Sequence, residues 1–553
     1  MEQPAQNQTH GAARTGGDGA GPPAAALPMR RSMAHIVAAG ILLSRIAGLV
    51  RESIFAHYLG NSAAADAFKA GFRIPNILQN LFGEGVLSAS FIPVYSKLLE
   101  HDDRARADQL AWTVGSLLSL AVAVLVLLGV FAAPYLIMVI APGFEGAKRE
   151  LTVTLVRILF PCTGLLVMSA WCLGVLNSHH RFFASYSAPV AWNVAIIATL
   201  LWFGPRVGES SLVIAVAWGA VAGAALQIGV QLPQTIALLR NFRVAFAEIA
   251  QPLGAVGQNL LPVVAGRGVV QLSGYIDNLL ASLLPTGAVA ALSYGQILYM
   301  LPLSLFAMSV AAAELPTMSR AAGSPDEIAA ALKPRLDAGL RQIAFLVVPS
   351  AAAFVFLGDT ICALLFQSGQ FTRADSLYVW SVLAGSSIGL LAAAMGRLYN
   401  SAFYSLHDTR TPFRLATLRV GLTLILGYVF AIIAPPLLGI PMRWGVAGLT
   451  ASAGLAGWLE FSMLRTRLNR RIGGTGLRRA YVAKLWGLAL AAGVAAFAVK
   501  RLVAGAPPTI EAIAVLPVFA LIYFAGAYFA GVAELRQVAS SLSRRIWPSA
   551  NAR

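Results

Sequence analysis

Leu117 to Ile140 reads LLSLAVAVLVLLGVFAAPYLIMVI, 24 consecutive residues with no charged side chain. A helix crossing the hydrocarbon core of a bilayer needs about 20 mostly apolar residues, and this stretch supplies them. Residues 482–533 make the same case for two further helices. Extending the test along the chain gives fourteen candidate spans. They lie near 33–57, 68–96, 111–140, 151–176, 186–204, 211–238, 257–284, 288–319, 339–366, 377–403, 413–434, 444–464, 482–503 and 509–531. The first, second, seventh and eighth are interrupted by charged residues, Gly or Pro. The composition agrees: 58% of the 553 residues are hydrophobic, 12% are charged, and mean hydropathy is +0.71. A soluble chain carries roughly 25% charged residues, so a water-soluble globular protein is excluded. The expectation is an all-α polytopic membrane protein of 14 transmembrane helices.

The net charge of +17, from 41 Lys and Arg against 24 Asp and Glu, resembles a nucleic-acid signal only until the charges are located. Cytoplasmic loops of membrane proteins are enriched in Lys and Arg. With a cytoplasmic N-terminus, 26 of the 41 fall on the cytoplasmic side, seven of them between Arg465 and Lys484, and seven fall outside. Both termini are therefore expected in the cytoplasm, and no nucleic-acid partner is expected. Residues 1–32, rich in Gly, Ala, Pro and Gln, read as a disordered tail, and 534–553 as a second cytoplasmic tail. Cys162, Cys172 and Cys362 fall within spans without disulfide or metal spacing. The loop pair His179-His180 reads as solvated.

Eight cations remain inside spans: Arg45, Arg51, Lys69, Arg73, Arg157, Arg267, Arg397 and Arg419. An ionisable group at the bilayer centre costs roughly 2.5–3.5 kcal/mol or more, so it faces a protein interior or a watery cavity. Arg45 lies roughly 18 Å beyond Met33 and Arg267 roughly 15 Å beyond Gly257 along their helices, too deep to snorkel easily. Arg157, Arg397 and Arg419 lie nearer span ends, where snorkelling or helix pairing explains them. In the second span, Lys69, Arg73, Asn76, Asn80 and Glu84 recur every three or four residues and share one helical face. Pro75 and the Gly83/Gly85 pair are expected to bend that helix. A cavity lined by cations suits an anion, and the planar guanidinium fork matches phosphate oxygens.

These residues also fall into a pattern. Ser44-Arg45-Ile-Ala-Gly-Leu-Val-Arg51-Glu52, then Asp66-Ala67-Phe68, Arg73-Ile-Pro75-Asn76, Glu84-Gly85 and Phe91-Ile-Pro93 resemble the MurJ/MviN lipid II flippases of the multidrug/oligosaccharidyl-lipid/polysaccharide exporter superfamily. So do Asp277-Asn-Leu-Leu-Ala-Ser282, Tyr294, Leu301-Pro302, Leu315-Pro316, Phe366-Gln-Ser-Gly-Gln-Phe371-Thr and Ala402-Phe403-Tyr404-Ser-Leu-His-Asp408-Thr-Arg-Thr-Pro412. The resemblance covers about residues 33–533. It implies an N-lobe over 33–240 (spans 1–6), a C-lobe over 241–466 (spans 7–12) and two extra helices over 467–533. Spans 1, 2, 7 and 8 would surround a cationic cavity, and alternating access would move lipid II from the inner to the outer leaflet of the bacterial cytoplasmic membrane. The extra helices would form a groove for the lipid tail.

Two departures stand out. Gln79-Asn80 replaces the arginine pair common after Pro-Asn-Leu-Leu, and Tyr294-Gly-Gln-Ile-Leu298 replaces Tyr-Ala-Asp-Arg-Leu. Ile297 thus stands where the family has a cavity arginine, and Met300 where it has an acid. Arg267, also near the membrane midplane, is expected to supply the missing guanidinium, and Lys69 the charge lost at Gln79. The expected substrate-binding set is Arg45, Arg51, Lys69, Arg73, Asn76 and Arg267. Asp66, Glu84, Asp277 and Glu314 are the coupling or supporting candidates.

No GxxxxGK[ST] phosphate-binding loop and no catalytic constellation occur. No cofactor or metal is therefore expected, and energy should come from an ion gradient or the membrane potential, worth about 2.3 kcal/mol per charge per 100 mV. The coupling ion is left open. The partners are lipid II and membrane lipids, and the protein is expected to act as a monomer. Export of another polyprenyl-linked sugar or of drugs is the alternative, although a cationic-drug exporter would favour acids in its cavity. An enzyme acting on polyprenyl phosphate would want clustered acids, and Asp102-Asp103 is a lone pair.

Overall fold

The computed structural model describes residues 31–239, 250–320 and 324–535. All regular structure among them is helical. The first span is α1 (Arg31–Leu59). The second is three pieces: α2 (Ala63–Phe82), α3 (Glu84–Ser90) and α4 (Ile92–Glu100). Single helices follow: α5 (Arg104–Ile140), α6 (Gly146–Ser178), α7 (Phe182–Phe203) and α8 (Glu209–Leu238). Next come α9 (Ala250–Ser282) and α10 (Ala288–Pro302), the latter passing through a π-helical segment, Leu303–Met308, into α11 (Ser309–Met318). Then come α12 (Pro325–Phe366), α13 (Arg373–Ser405), α14 (Arg410–Tyr428), which leads through a second π segment into α15 (Ala434–Leu437), and α16 (Gly445–Ile472). The chain closes with α17 (Arg479–Leu502) and α18 (Pro508–Phe529). Residues 1–30 and 536–553, which make up most of the two expected tails, lie outside the described residues.

Among the described residues, 11 helical segments are long and apolar enough to cross a membrane. The other three expected spans overlap the long helices α1, α9 and α16, whose described residues do not meet that test. Two of them are the first and seventh spans, whose interruptions were visible in the sequence.

Packing repeats between the halves. The first span packs on the fifth, the second on the fourth, and the fourth on the third and sixth; the seventh to twelfth pair in the same way. Helices α17 and α18 pack on each other and on α12. Close approach depends on small residues, as is usual where lipid removes the hydrophobic drive between helices. A Cβ on Gly389 of α13 would lie 2.4 Å from the Cα of Gly454 on α16, and one on Gly385 would meet Ala447 O at 2.4 Å. In the first half, Gly223 of α8 admits the backbone of Trp192 on α7, whose indole Nε1 donates to Ala220 O at 3.1 Å. That bond fixes a ring used below. Cys162, Cys172 and Cys362 are free and buried, as packing residues should be.

The second span bends, but not at Pro75, through which α2 runs. It breaks at Gly83, where a Cβ would sit 2.1 Å from Gln79 O. Glu84 therefore begins a separate helix, α3. Its side chain and that of Arg267 lie outside the described residues.

Candidate functional site: a cationic cleft between the lobes

Burial changes along α1. Phe55, Ala56 and Leu59 at its C-terminal end are buried, whereas Leu42, Leu43, Ile46 and Val50 are exposed. The facing α10 shows the opposite gradient in sequence. Ala288 to Leu292 are buried, while Met300, Leu301, Leu305 and Met308 are exposed. The two helices thus meet at the α1–α2 corner and part toward Arg45. The space between them is sealed at the corner, and apolar side chains are exposed toward the Arg45 end.

Three arginines lie along this cleft, and two of them, Arg45 and Arg73, reach across to the second half of the chain. Exposed Arg45 donates through Nη1 to Ser304 Oγ at 3.1 Å, in the π segment after α10. π segments concentrate at functional sites. Arg51 donates to Asn193 Oδ1 at 3.0 Å and to Glu52 Oε1 at 2.7 Å, and its guanidinium lies 4.9 Å from the centre of the Trp192 ring. Arg73 donates to Gln296 Oε1 at 3.3 Å, while Tyr275 Oη donates to Arg73 O at 3.0 Å. The guanidinium occupies room left by Gly274, where a Cβ would stand 2.7 Å from Nη2. Asp277, one turn along α9, interacts electrostatically with Arg73 and with Arg419.

The closed end is built from different chemistry. Asp66, 1% exposed, accepts from the backbone N–H groups of Gly287 and Ala290, both at 2.8 Å, and from Lys148 Nζ at 2.6 Å. It thereby caps the start of α10 from α2, satisfying donors that a helix N-terminus leaves open. Asn61 Nδ2 donates to Asp375 Oδ1 at 3.1 Å, Tyr294 Oη to Gly60 O at 3.0 Å, and Gln370 N to His57 O at 2.7 Å. Gly60 (φ +50°) and Gly369 (φ +56°) adopt the left-handed conformation that glycine tolerates. A Cβ on Gly369 would lie 2.3 Å from His57 O. Apart from the Lys148 pair, every one of these contacts joins the α1–α2 corner to the second half of the chain.

The family profile described as "Lipid II flippase MurJ" matches residues 55–515. This chain belongs to the lipid II flippase MurJ family. Named relatives include the lipid II flippase MurJ of Burkholderia cenocepacia, 32% identical over 78% of this chain and 82% of its own length. The probable lipid II flippase MurJ of Rhizobium meliloti is 30% identical over 92% and 95%. Among solved structures, a lipid II flippase MurJ in an inward closed conformation superposes with a TM-score of 0.72 at 22% identity, covering 90% of this chain and 98% of that one. An inward-facing multidrug resistance MATE transporter of the MOP superfamily gives 0.62 at 18% identity, covering 79% and 98%. These two likenesses concern the fold.

Within this MurJ-family chain the expected site residues divide. Arg45, Arg51 and Arg73 lie along the cleft, and Asn76 follows Arg73 half-buried. Lys69 is already engaged. It pairs with Glu52 Oε2 and lies 4.3 Å from the Phe55 ring and 5.2 Å from that of Tyr294. Asp66 is saturated by the cap and Lys148. Glu314 stands apart in α11, 3.7 Å from Arg335. Arg419 pairs with Glu460 at 3.3 Å, as helix pairing predicts. The solvated reading of the histidine pair is corrected for His179: it is half-buried, and its Nε2 lies 2.9 Å from Tyr95 Oη. Trp192, Asn193, Ser304 and Lys148 were not among the expected residues. They carry no charge in mid-span or, for Lys148, sit at the start of α6 just outside the expected span, and only the fold brings them to the arginines and to Asp66.

Proposed function

We propose that this protein moves lipid II, the lipid-linked peptidoglycan precursor, from the inner to the outer leaflet of the bacterial cytoplasmic membrane by alternating access. The observation that carries this reading is the placing of Arg45, Arg51 and Arg73 along one interlobe cleft that is closed at the far end. Guanidinium groups offer five donors in a planar fork suited to phosphate oxygens. The pyrophosphate of the headgroup is the matching anion, with Asn76 and Arg267 completing the set. The lopsided Lys and Arg distribution supports cytoplasmic termini, which makes the Arg45 end of the cleft cytoplasmic and the Asp66 end external. The protein is a transporter, acts as a monomer and draws on an ion gradient or the membrane potential rather than on a cofactor. Asp277, facing Arg73 from the other lobe, is the favoured coupling carboxylate.

Depletion tests the proposal. Cells that rely on this chain as their flippase should accumulate lipid II and lyse when it is withdrawn. Wild type should rescue them; Arg45→Ala and Arg51→Ala should not. Normal growth with unchanged lipid II would overturn it, and accumulation of a different polyprenyl-linked sugar would reassign the substrate. For Arg267, Arg267→Ala should abolish rescue, and adding Ile297→Arg should restore part of it. A silent Arg267→Ala removes that residue from the set.

A further inference from the structure

Arg157 is an in-span cation that the cleft does not use. It lies on α6, a 33-residue helix, roughly 16 Å along the axis from Gly146. A helix of that length spans about 50 Å against about 30 Å of hydrocarbon. Centred, it places Arg157 roughly 6 Å below the hydrocarbon boundary. The side chain is exposed, and among the described residues its guanidinium has no hydrogen bond or ion pair. An arginine on a lipid-facing surface at that depth needs a counter-charge or polar headgroup within its reach.

A groove of about 440 Å³ between α5 and α6 contains it, lined also by Arg149, Glu150, Thr154 and Pro134. Arg149 and Arg157 are two turns apart on one face, with Thr154 between them. Glu150 offsets one of the two positive charges and leaves the groove net cationic. Pro134 lacks an N–H and so leaves the Val130 carbonyl without its helical donor, a further polar feature in an otherwise apolar wall. Deeper than the arginines, α5 exposes Phe131 (77%), Leu127, Val124 and Leu120 (65%) as an apolar track that continues toward the bilayer centre. Two cationic forks above an aliphatic and aromatic strip match one molecule class: an anionic phospholipid, phosphate toward the arginines and acyl chains along α5.

We propose that the α5–α6 groove is a binding site for an anionic phospholipid, its phosphate held between Arg149 and Arg157. The site is separate from the transport cleft, and the proposal stands whatever the transported substrate.

The test is native mass spectrometry of the full-length protein released from mixed micelles of phosphatidylglycerol and phosphatidylcholine. Wild type should retain phosphatidylglycerol preferentially. Arg149→Gln/Arg157→Leu should lower the retained ratio by about tenfold, the scale of one lost charge-assisted contact pair. Arg157→Lys, which keeps the charge, should retain most of the preference. A thermal midpoint close to wild type certifies that the double variant is folded; if it is not, Arg157→Gln alone replaces it. Excess inorganic phosphate should fail to displace the lipid, because it cannot use the apolar track. An unchanged lipid ratio in the folded variants overturns the site, and displacement by inorganic phosphate overturns the lipid assignment.

Discussion

Lys69 on α2 and Glu52 on α1 form an ion pair in which the side chains are only 10% and 9% exposed. Glu52 also holds Arg51 at 2.7 Å, so one carboxylate serves two cations. Removing one partner of a buried pair leaves an uncompensated charge and costs about 3–5 kcal/mol, whereas replacing both with apolar groups is often neutral. Glu52→Gln should therefore lower the thermal midpoint of the purified protein substantially, and Lys69→Met should do the same. The double variant Glu52→Gln/Lys69→Met should recover much of the loss. Because Arg51 keeps Asn193 and Trp192 as partners, the double variant should also retain part of its rescue activity in depleted cells. Additive losses in the double variant would refute the pairing.

Asp66 joins the lobes by capping α10. Asp66→Ala leaves the Gly287 and Ala290 N–H groups without acceptors and Lys148 without its partner; a lost cap alone costs about 0.5–2 kcal/mol. The closed end should then open more often. Asn61→Cys, placed in the same seal, reports this through labelling by a membrane-impermeant thiol reagent, since the three native cysteines are buried. Labelling should rise about tenfold with Asp66→Ala, the equilibrium shift produced by 1.4 kcal/mol. Equal labelling in both backgrounds would remove Asp66 from the seal.

These two carboxylates illustrate what sequence could and could not disclose. Mid-span Arg45, Arg51 and Arg73 were legible because charge in an apolar helix has few explanations. Glu52 adjoined Arg51 in sequence, yet its bond to Lys69 links two spans, and no periodicity crosses the α1–α2 corner. Asp66 looked like a coupling acid because its type and position were visible and its acceptor role was not: its donors are backbone groups 221 and 224 residues away. Trp192 and Asn193 were invisible for a related reason. An indole and an amide in an apolar span are ordinary until a guanidinium is placed on them. The apolar part of each helix was legible because apolar length is a local property, whereas polar extensions such as Pro325 to Ala338 of α12 lay beyond the expected span. The break at Gly83 was foreseen only as a bend, since it depends on the approach of Gln79 O.

Gly274→Ala separates function from stability. The added Cβ would stand 2.7 Å from Arg73 Nη2, the mobile end of a long side chain, which can move aside at little cost to the fold. Gly274→Ala should keep a thermal midpoint near wild type while impairing rescue of depleted cells, because Arg73 is displaced from Gln296. Gly83→Ala is the contrasting case. Its Cβ would meet the backbone oxygen of Gln79 at 2.1 Å, which cannot yield without moving α2, so that variant should unfold at a markedly lower temperature. Wild-type rescue by a stable Gly274→Ala would show that Arg73 does not need its present position.

His179 gives the protein an acid-side sensitivity at the α6–α7 turn. Burial lowers its pKa below the usual 6.5; Asp108 opposes that shift, while Arg104, His180 and Arg181 add to it. The ring Nε2 and Tyr95 Oη share a hydrogen bond at 2.9 Å, tying α4 to the turn. The unfolded chain takes up the proton more readily than the folded one, so stability rises with pH. The contribution is complete above about pH 6.5, the unfolded value, and is lost as pH falls through the lower folded value. His179→Gln keeps a hydrogen-bonding side chain but cannot titrate. The thermal midpoint of wild type should therefore fall more than that of His179→Gln between about pH 7.5 and pH 5, with the two curves parallel above about pH 7. Parallel curves over the whole range would show that His179 titrates alike in the folded and unfolded chains.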